Sequence, residues 1–392
     1  MFGIHSNPNL GRFYNYGHEF DIFLDGERYK SEERNLKEGN NFKSHLISSL
    51  RKIINYKDLM IKLIFNLPGF NIVKNFLRKK VPKITELLLP FTSMAYNAPF
   101  IVNKVLNFLY QGKKPLFIWM HFMDTHSPYN PPSKYVLRFR EKDFTLSERK
   151  FLNQHVYSND KSIKITQNLI EDLKILYDAQ ISFIDDCLKD LLTFIEKYYK
   201  ENCLIIITSD HGESFYEHGI FGHQGSVYDE LLKIPLFIRE MGKIPVKREV
   251  KESVQLLDIA PTILDFYGLD SPEDFQGKSL LPLMEGKKLD RKKPIITECY
   301  QKGGFMKRNN KEGFKLISIR TNDWKYIYDE EKNQEHLFNL KADPLERDNL
   351  INQNVEKARD FRLIRDFHLQ KVKETQERSR IVSAIDKLNL KK

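Results

Sequence analysis

The sequence predicts a layered α/β domain followed by a small domain of antiparallel strands with a terminal helix. Three observations carry this. Two short apolar runs, residues 115–123 and 203–209, have the length and composition of strands buried on both faces of a parallel sheet. Between them lies a long stretch with apolar residues at helical spacing, where Leu173, Leu176, Ile184, Leu188, Leu191 and Ile195 mark one stripe. After about residue 290 the pattern changes to short strand-like segments and then a charged helical tail.

Taken in order, residues 2–25 are rich in Gly, Asn and aromatics and read as a short strand running into a loop. Residues 42–83 place Leu46, Leu50, Ile53, Ile54, Leu59, Leu63 and Ile64 at helical spacing, broken at Pro68-Gly69 and at Pro82, which predicts two or three amphipathic helices. Residues 98–110 continue as a helix. The strand at 115–123 ends in a proline-rich loop, 124–132. The helix at 165–199 leads to the strand at 203–209, which ends in Asp210-His211-Gly212-Glu213. A third strand is expected at 234–238 and a helix at 254–267. Strands at 314–319 and 324–328 belong to the small domain. The boundaries are 1–290 for the α/β domain, with a basic helical insertion at about 41–95, and 291–392 for the C-terminal subdomain. Both polar loops follow strand ends, where open α/β sheets collect their chemistry.

The net charge is +10, and residues 41–83 hold ten basic side chains against Asp58 alone, so +9 of it lies there. That segment is either a solvated helical face or a contact for an anionic partner, a polymer or a membrane surface. Nothing points to a specific nucleic acid. No apolar run is long enough to cross a bilayer, and Met1-Phe2-Gly3-Ile4-His5 lacks the basic and apolar regions of a signal peptide. With Met1 as the start, a cytoplasmic protein is expected. Cys187, Cys203 and Cys299 are too sparse for a thiolate zinc site or a disulfide framework and read as small buried apolar residues.

Thr208-Ser-Asp-His-Gly-Glu213 is the strongest chemical constellation. Adjacent Asp210 and His211 at a strand end offer a metal one oxygen and one nitrogen ligand, a mixed set that suits Mn²⁺ or Zn²⁺ better than Ca²⁺. His218 and His223 follow within a glycine-bounded segment, where a histidine could bind an ester oxygen and protonate a leaving alkoxide. His126 sits in Asp124-Thr-His-Ser-Pro-Tyr129, a loop stiffened by Pro128, Pro131 and Pro132. Asp124 could orient it. His121, inside the strand, reads as a core histidine.

These residues, with Ile205-Ile-Ile-Thr-Ser-Asp-His-Gly-Glu213, Gly222-His-Gln-Gly-Ser-Val-Tyr-Asp-Glu-Leu-Leu-Lys-Ile-Pro-Leu236, Leu257-Asp-Ile-Ala-Pro-Thr-Ile-Leu264, Trp324-Lys-Tyr-Ile327 and His336-Leu-Phe-Asn-Leu-Lys-Ala-Asp-Pro-Leu-Glu346, resemble the sulfatase family of the alkaline phosphatase superfamily in order and spacing. The resemblance implies a three-layer α/β/α sandwich with a mainly parallel central sheet, plus a small C-terminal α+β subdomain. It implies metal-dependent hydrolysis of an anionic small-molecule or polymeric ester, a sulfate in the first place. Asp210 and His211 map to the metal site, for Mn, Zn or Ca. His126 maps to a contact with the ester oxygens, and His223 to a similar contact and to the leaving group. The Asp-His version also resembles phosphate and phosphonate monoester hydrolases.

Family members open with a strand carrying two further metal-binding aspartates, followed by a Cys-, Ser- or Thr-x-Pro-x-Arg nucleophile motif. This sequence begins after both, so the first strands of the sheet are expected to be missing. Ser6-Asn7-Pro8-Asn9-Leu10 mimics the motif but has Leu10 in place of arginine. The expectation is a chain inactive or incomplete alone, whose partner is an N-terminal fragment supplying the missing strands. The rival is a non-catalytic remnant or binding module that uses residues 41–83, which match nothing general in the family.

Overall fold

A computed structural model of the chain describes residues 2–5, 22–24, 98–112, 116–157, 164–223, 225–242, 249–289, 294–301 and 314–389. They fall into two compact units, Met1–Asn153 with Lys174–Phe194, and Gln154–Leu173 with Ile195–Lys392. The basic segment 41–83 and Ser6 lie outside the described residues.

In the first unit, β1 (Phe2–His5), β2 (Ile22–Leu24) and β3 (Ile118–His121) form a parallel sheet in the order β2-β1-β3. The apolar run at 115–123 thus yields four strand residues, because the Met123 carbonyl accepts the His126 N–H at 3.0 Å and turns the chain. Helix Ala98–Leu109 buries Ala98, Ile101, Val102, Val105 and Leu109, the spacing of one helical face. The 32-residue helix Gln167–Tyr198 starts at Thr166, whose hydroxyl accepts the Leu169 N–H at 3.3 Å. Its middle belongs to the first unit, where Tyr177 meets Tyr129 and Phe183 meets Tyr135 edge to face, with centroids 5.5 and 5.3 Å apart.

The second unit holds β4 (Cys203–Thr208), β5 (Ser214–Phe215), β6 (Phe221–Gly222), β7 (Leu236–Met241), β8 (Ile295–Gln301), β9 (Phe314–Arg320), β10 (Trp324–Asp329) and β11 (Gln334–Asn339). β4 pairs with β7 in antiparallel register, and its residues are only partly buried. The sequence suggested a fully buried parallel strand there. The connection from β4 to β7 carries a hairpin and the four-residue helix Asp229–Leu232 in place of the long crossover helix that a parallel pair uses. Residues 254–267 divide into a 3-10 turn, Leu256–Asp258, and a helix, Ile259–Phe266. Buried Asp258 joins this region to the chain at Lys278, whose N–H it accepts at 2.9 Å.

β8 to β11 form an antiparallel sheet in the order β11-β10-β9-β8. Its strands alternate with period two, and both faces are used. One face carries Ile317, Ile319, Tyr326 and Leu337, which pack with Ala358 and Phe361 of helix Val355–Asn389. The other carries Leu316, Ile327 and Phe338, which pack with Val227. Among the described residues no helix is long and apolar enough to cross a membrane. The three cysteines are free and partly rather than fully buried.

Candidate functional site

Two glycine constraints shape the turn after β4. Gly212 donates its N–H to the Leu231 carbonyl at 2.8 Å, and a Cβ built there would lie 2.0 Å from the Glu230 carbonyl oxygen. The turn is therefore pressed backbone to backbone against helix Asp229–Leu232, which only glycine permits. Upstream, the Thr208 hydroxyl donates to the Pro235 carbonyl at 2.9 Å. Between these anchors stand Asp210, solvent-exposed, and His211, half-buried.

His211 Nδ1 lies 2.8 Å from the Gly212 carbonyl oxygen. A carbonyl only accepts, so Nδ1 carries the hydrogen, and in the neutral imidazole Nε2 has the lone pair. Nε2 is 3.7 Å from Asp210 Oδ2. Metal–ligand bonds of about 2.1 Å place neighbouring tetrahedral ligands about 3.4 Å apart. The pair thus has the tautomer and spacing of two adjacent ligands of one cation. Among the described residues, no group of three or more His, Cys, Asp or Glu side chains converges as a complete metal site.

Beyond Gly212, β5 and β6 form a hairpin with Ser214 opposite Gly222. That register sets Glu213 opposite His223, and His223 Nδ1 meets Glu213 Oε1 at 3.1 Å. The hairpin also stacks the His223 ring on His211, with centroids 4.3 Å apart. Asp210, His211 and His223 are therefore brought together, with Glu213 orienting the last. Glu213 stands in the motif quoted from the sequence, but its role emerges only from the hairpin register. His218, the other candidate in this segment, is engaged elsewhere. Its Nδ1 faces Glu230 at 2.9 Å, its Nε2 faces the Glu346 carbonyl at 3.1 Å, and its ring stacks on Tyr228 at 3.6 Å.

Behind the helix Asp229–Leu232 lies a charge cluster that sequence reasoning did not find. Lys325, fully buried, reaches Asp229 at 2.8 Å and Glu346 at 2.6 Å, and Arg320 reaches Asp229 at 2.5 Å. Burial pushes the Glu346 carboxyl up from its ordinary range. Burial acts the same way on Asp229, but Lys325 and Arg320 outweigh it and hold that carboxyl down.

His126 belongs to the first unit. Its Nδ1 lies 2.5 Å from the Ser127 carbonyl oxygen. Asp124 accepts the Ala98 N–H at 3.2 Å, at the start of helix Ala98–Leu109, and burial raises its carboxyl pKa. The loop around His126 is gripped by helix Leu146–Tyr157. Asn153 accepts the Tyr129 N–H at 2.5 Å and donates to the Tyr129 carbonyl at 2.9 Å, while Arg149 donates to the Pro131 carbonyl at 2.8 Å. His121 ends β3, stacked on Trp119 with centroids 5.9 Å apart.

The family model for sulfatases matches residues 7–269, and that for the C-terminal region of N-sulphoglucosamine sulphohydrolase matches residues 216–375. An arylsulfatase of Clostridium perfringens is 28% identical over 273 residues, covering 66% of this chain and 54% of the relative. The chain spans about half the length of the curated relatives it matches. A protein solved with its substrate D-glucosamine-2-N,6-O-disulfate superposes with a TM-score of 0.54 at 21% identity, covering 70% of each chain. The phosphonate monoester hydrolase of Agrobacterium radiobacter superposes with a TM-score of 0.54 at 20% identity, covering 76% of this chain and 67% of that one. These two likenesses show the fold, an α/β architecture of the alkaline phosphatase type.

Proposed function

The chain belongs to the sulfatase family, and from that premise we propose that it serves metal-dependent hydrolysis of sulfate esters, with Asp210 and His211 as two ligands of a divalent cation. The observation that carries this is the spacing of Asp210 Oδ2 and His211 Nε2, with the histidine tautomer fixed by the Gly212 carbonyl. When bound, such a cation neutralises ester charge and activates a nucleophile. His223, held at Nδ1 by Glu213, has Nε2 as the nitrogen that hands a proton to the leaving alkoxide. His126 is assigned to the ester oxygens by resemblance alone. Mn²⁺ and Zn²⁺ suit the mixed oxygen and nitrogen pair better than Ca²⁺.

None of the chain's 16 prolines is followed two positions later by arginine, so these 392 residues hold no Cys/Ser/Thr-x-Pro-x-Arg motif. The polypeptide alone is therefore expected to bind metal weakly and to turn over an aryl sulfate far below the ordinary range of ~1–10³ s⁻¹. A separate segment carrying that motif and two further carboxylates should restore turnover. Mn²⁺ titration followed by electron paramagnetic resonance, with aryl sulfate, aryl phosphate and phosphonate monoester assays side by side, tests the reading. Absence of any Mn²⁺ site that depends on Asp210 removes it. A complemented enzyme that prefers the phosphonate replaces sulfate with the second reading, a phosphate or phosphonate ester hydrolase, which the Asp-His pair keeps open. The basic segment 41–83 is assigned a polyanion or anionic membrane surface, with binding that weakens with salt as screening tightens to about 10 Å at 0.1 M.

A further inference from the structure

The motif around Trp324-Lys-Tyr-Ile327 is unexplained by the chemistry above, and it places a charge where the strand pattern predicts packing. On β10, Lys325 shares its face with Ile327, the face that packs toward Val227, and it is fully buried. Its ammonium has two carboxylate partners, Asp229 at 2.8 Å and Glu346 at 2.6 Å. Glu346 makes a second contact with the same helix start, accepting the Asp229 N–H at 2.7 Å. It does so from a left-handed backbone, with φ at 55°, a conformation that side-chain-bearing residues seldom adopt. The Glu346 carbonyl, in turn, faces His218 at 3.1 Å, and His218 holds Glu230 at 2.9 Å.

Three of these contacts reach helix Asp229–Leu232 itself, at the Asp229 carboxylate, the Asp229 N–H and the Glu230 carboxylate. Four residues do not sustain a helix on their own. The same helix receives the turn of the candidate site, through Gly212 N–H on the Leu231 carbonyl and the close approach of Gly212 to the Glu230 carbonyl. The helix is thus held at Asp229 and the Glu230 carboxylate by charge and polar contacts, and at its Glu230 and Leu231 carbonyls it carries the turn that presents Asp210 and His211.

We propose that Lys325 is a positioning residue for the Asp210–His211 pair, acting through helix Asp229–Leu232. A buried ion cluster is a poor source of stability when every member is replaced by apolar side chains of similar volume, whereas removing one member alone leaves the other charges buried and uncompensated. What the cluster supplies instead is location. Arg320 holds Asp229 alone and the Asp229 N–H reaches Glu346, but Lys325 is the cation that bridges the two carboxylates at the point where the helix begins.

The test uses the full chain and Lys325→Met, compared by ¹⁵N NMR of the histidine side chains and by Mn²⁺ titration. In the wild-type chain His211 should show the Nδ1–H tautomer that the Gly212 carbonyl selects. In Lys325→Met that signature should give way to mixed tautomers, His218 should shift with it, and Mn²⁺ affinity should fall about tenfold, ~1.4 kcal/mol. A folded Lys325→Met chain with unchanged His211 signals and unchanged Mn²⁺ affinity overturns the proposal. Should that variant fail to fold, Glu346→Gln is read the same way, with an expected loss of about threefold. Unchanged spectra there overturn it equally. The Mn²⁺ arm rests on the metal-pair reading, but the tautomer arm does not. If the wild-type chain binds no Mn²⁺ while Lys325→Met still scrambles the His211 tautomer, the metal reading fails and the positioning role stands.

Discussion

The loop that carries His126 and the turn that carries Asp210 and His211 are held by opposite means. In the first, side chains of a helix grip main chain. Asn153 pairs with both the N–H and the carbonyl of Tyr129, and Arg149 holds the Pro131 carbonyl and, at 2.6 Å, Asp143. In the second, main chain rests on main chain, and the charges stand one layer behind. A side-chain grip can be weakened in steps, because each hydrogen bond can be removed separately. A backbone-on-backbone contact has no such gradation. Two loops that the sequence presents as equivalent candidates should therefore respond differently to substitution.

The largest effect is expected at Gly212. An alanine Cβ would sit 2.0 Å from a main-chain oxygen, so either the turn or helix Asp229–Leu232 must move. A loss of about 3 kcal/mol or more should appear in urea unfolding of Gly212→Ala. Gly219 is the control. It has φ at 78° but nothing within 4 Å of a built Cβ, so Gly219→Ala should cost only about 1 kcal/mol of backbone strain. If the two variants unfold alike, the turn is not pressed against the helix and the contrast between the two loops disappears.

Asn153→Ala comes next. Tyr129 is fully buried, and the substitution leaves both of its main-chain groups without this partner. Unsatisfied buried groups cost ~1–3 kcal/mol each, and partial relaxation should bring the total to about 2–3 kcal/mol. Asn153→Asp keeps an acceptor for the Tyr129 N–H but cannot donate to its carbonyl, so it should fall between wild type and alanine. Hydrogen exchange at the Tyr129 amide, read beside the melts, tells a local release from global loss. A melt for Asn153→Ala that matches wild type would show that the prolines alone hold this loop.

The sequence made the presented residues legible and left their supports hidden, for a physical reason. Asp210, His211, His223 and His126 stand in short local patterns, a strand end followed by polar residues and glycine or proline, and local patterns survive in one dimension. The strands read at 314–319 and 324–328 were legible as short alternating segments and fall on β9 and β10, and the helix read at 165–199 from its apolar stripe falls on Gln167–Tyr198. β11, Gln-Glu-His-Leu-Phe-Asn, was not, because only Leu337 and Phe338 in it are apolar and they serve two different faces. Lys325 and Glu346 lie far apart along the chain and meet Asp229 about 100 positions away, and no local rule joins them. Lys325 would read as the solvent-facing member of an alternating strand. Only the burial of both sheet faces places it inside.

A third effect sharpens the role of charge. On β11, Glu335 accepts from Arg362 at 2.6 Å, from the Tyr326 hydroxyl at 2.5 Å and from Arg365 at 3.0 Å. The Arg362 hydrogen bond above all holds its carboxyl down at about 2, against an ordinary value of 4.5. A depressed carboxyl contributes stability that is fully present above the unfolded value and is lost as pH falls through the folded one. The window here runs from about 4.5 down to about 2. Allowing for solvent screening, the loss should be about 1–2 kcal/mol. Glu335→Gln should already lack that stability near neutrality and should flatten the acid limb of a stability–pH curve. An unchanged acid limb would assign acid unfolding to other carboxylates, with Asp229 the next to examine, since its charge partners also hold it down.

The smallest effect on stability is expected at Asp210, two positions from the largest. Its side chain is 66% exposed, and its contacts with His211 are a 3.1 Å hydrogen bond to the neighbouring N–H and the 3.7 Å approach to Nε2. Exposed side chains without a buried partner change stability by ~0.5 kcal/mol or less. Asp210→Ala should therefore unfold with wild-type behaviour in urea, while Gly212→Ala does not. Mn²⁺ binding should show the reverse order of specificity. Asp210→Ala removes one ligand and leaves the turn standing, so affinity should drop with the His211 tautomer intact. Gly212→Ala should disturb affinity and tautomer together, because it displaces the carbonyl that selects Nδ1–H. Stability, tautomer and affinity thus separate a residue that binds from a residue that holds. If Asp210→Ala lost several kcal/mol, Asp210 would be part of the scaffold, and its exposure would have to be explained by something other than a ligand.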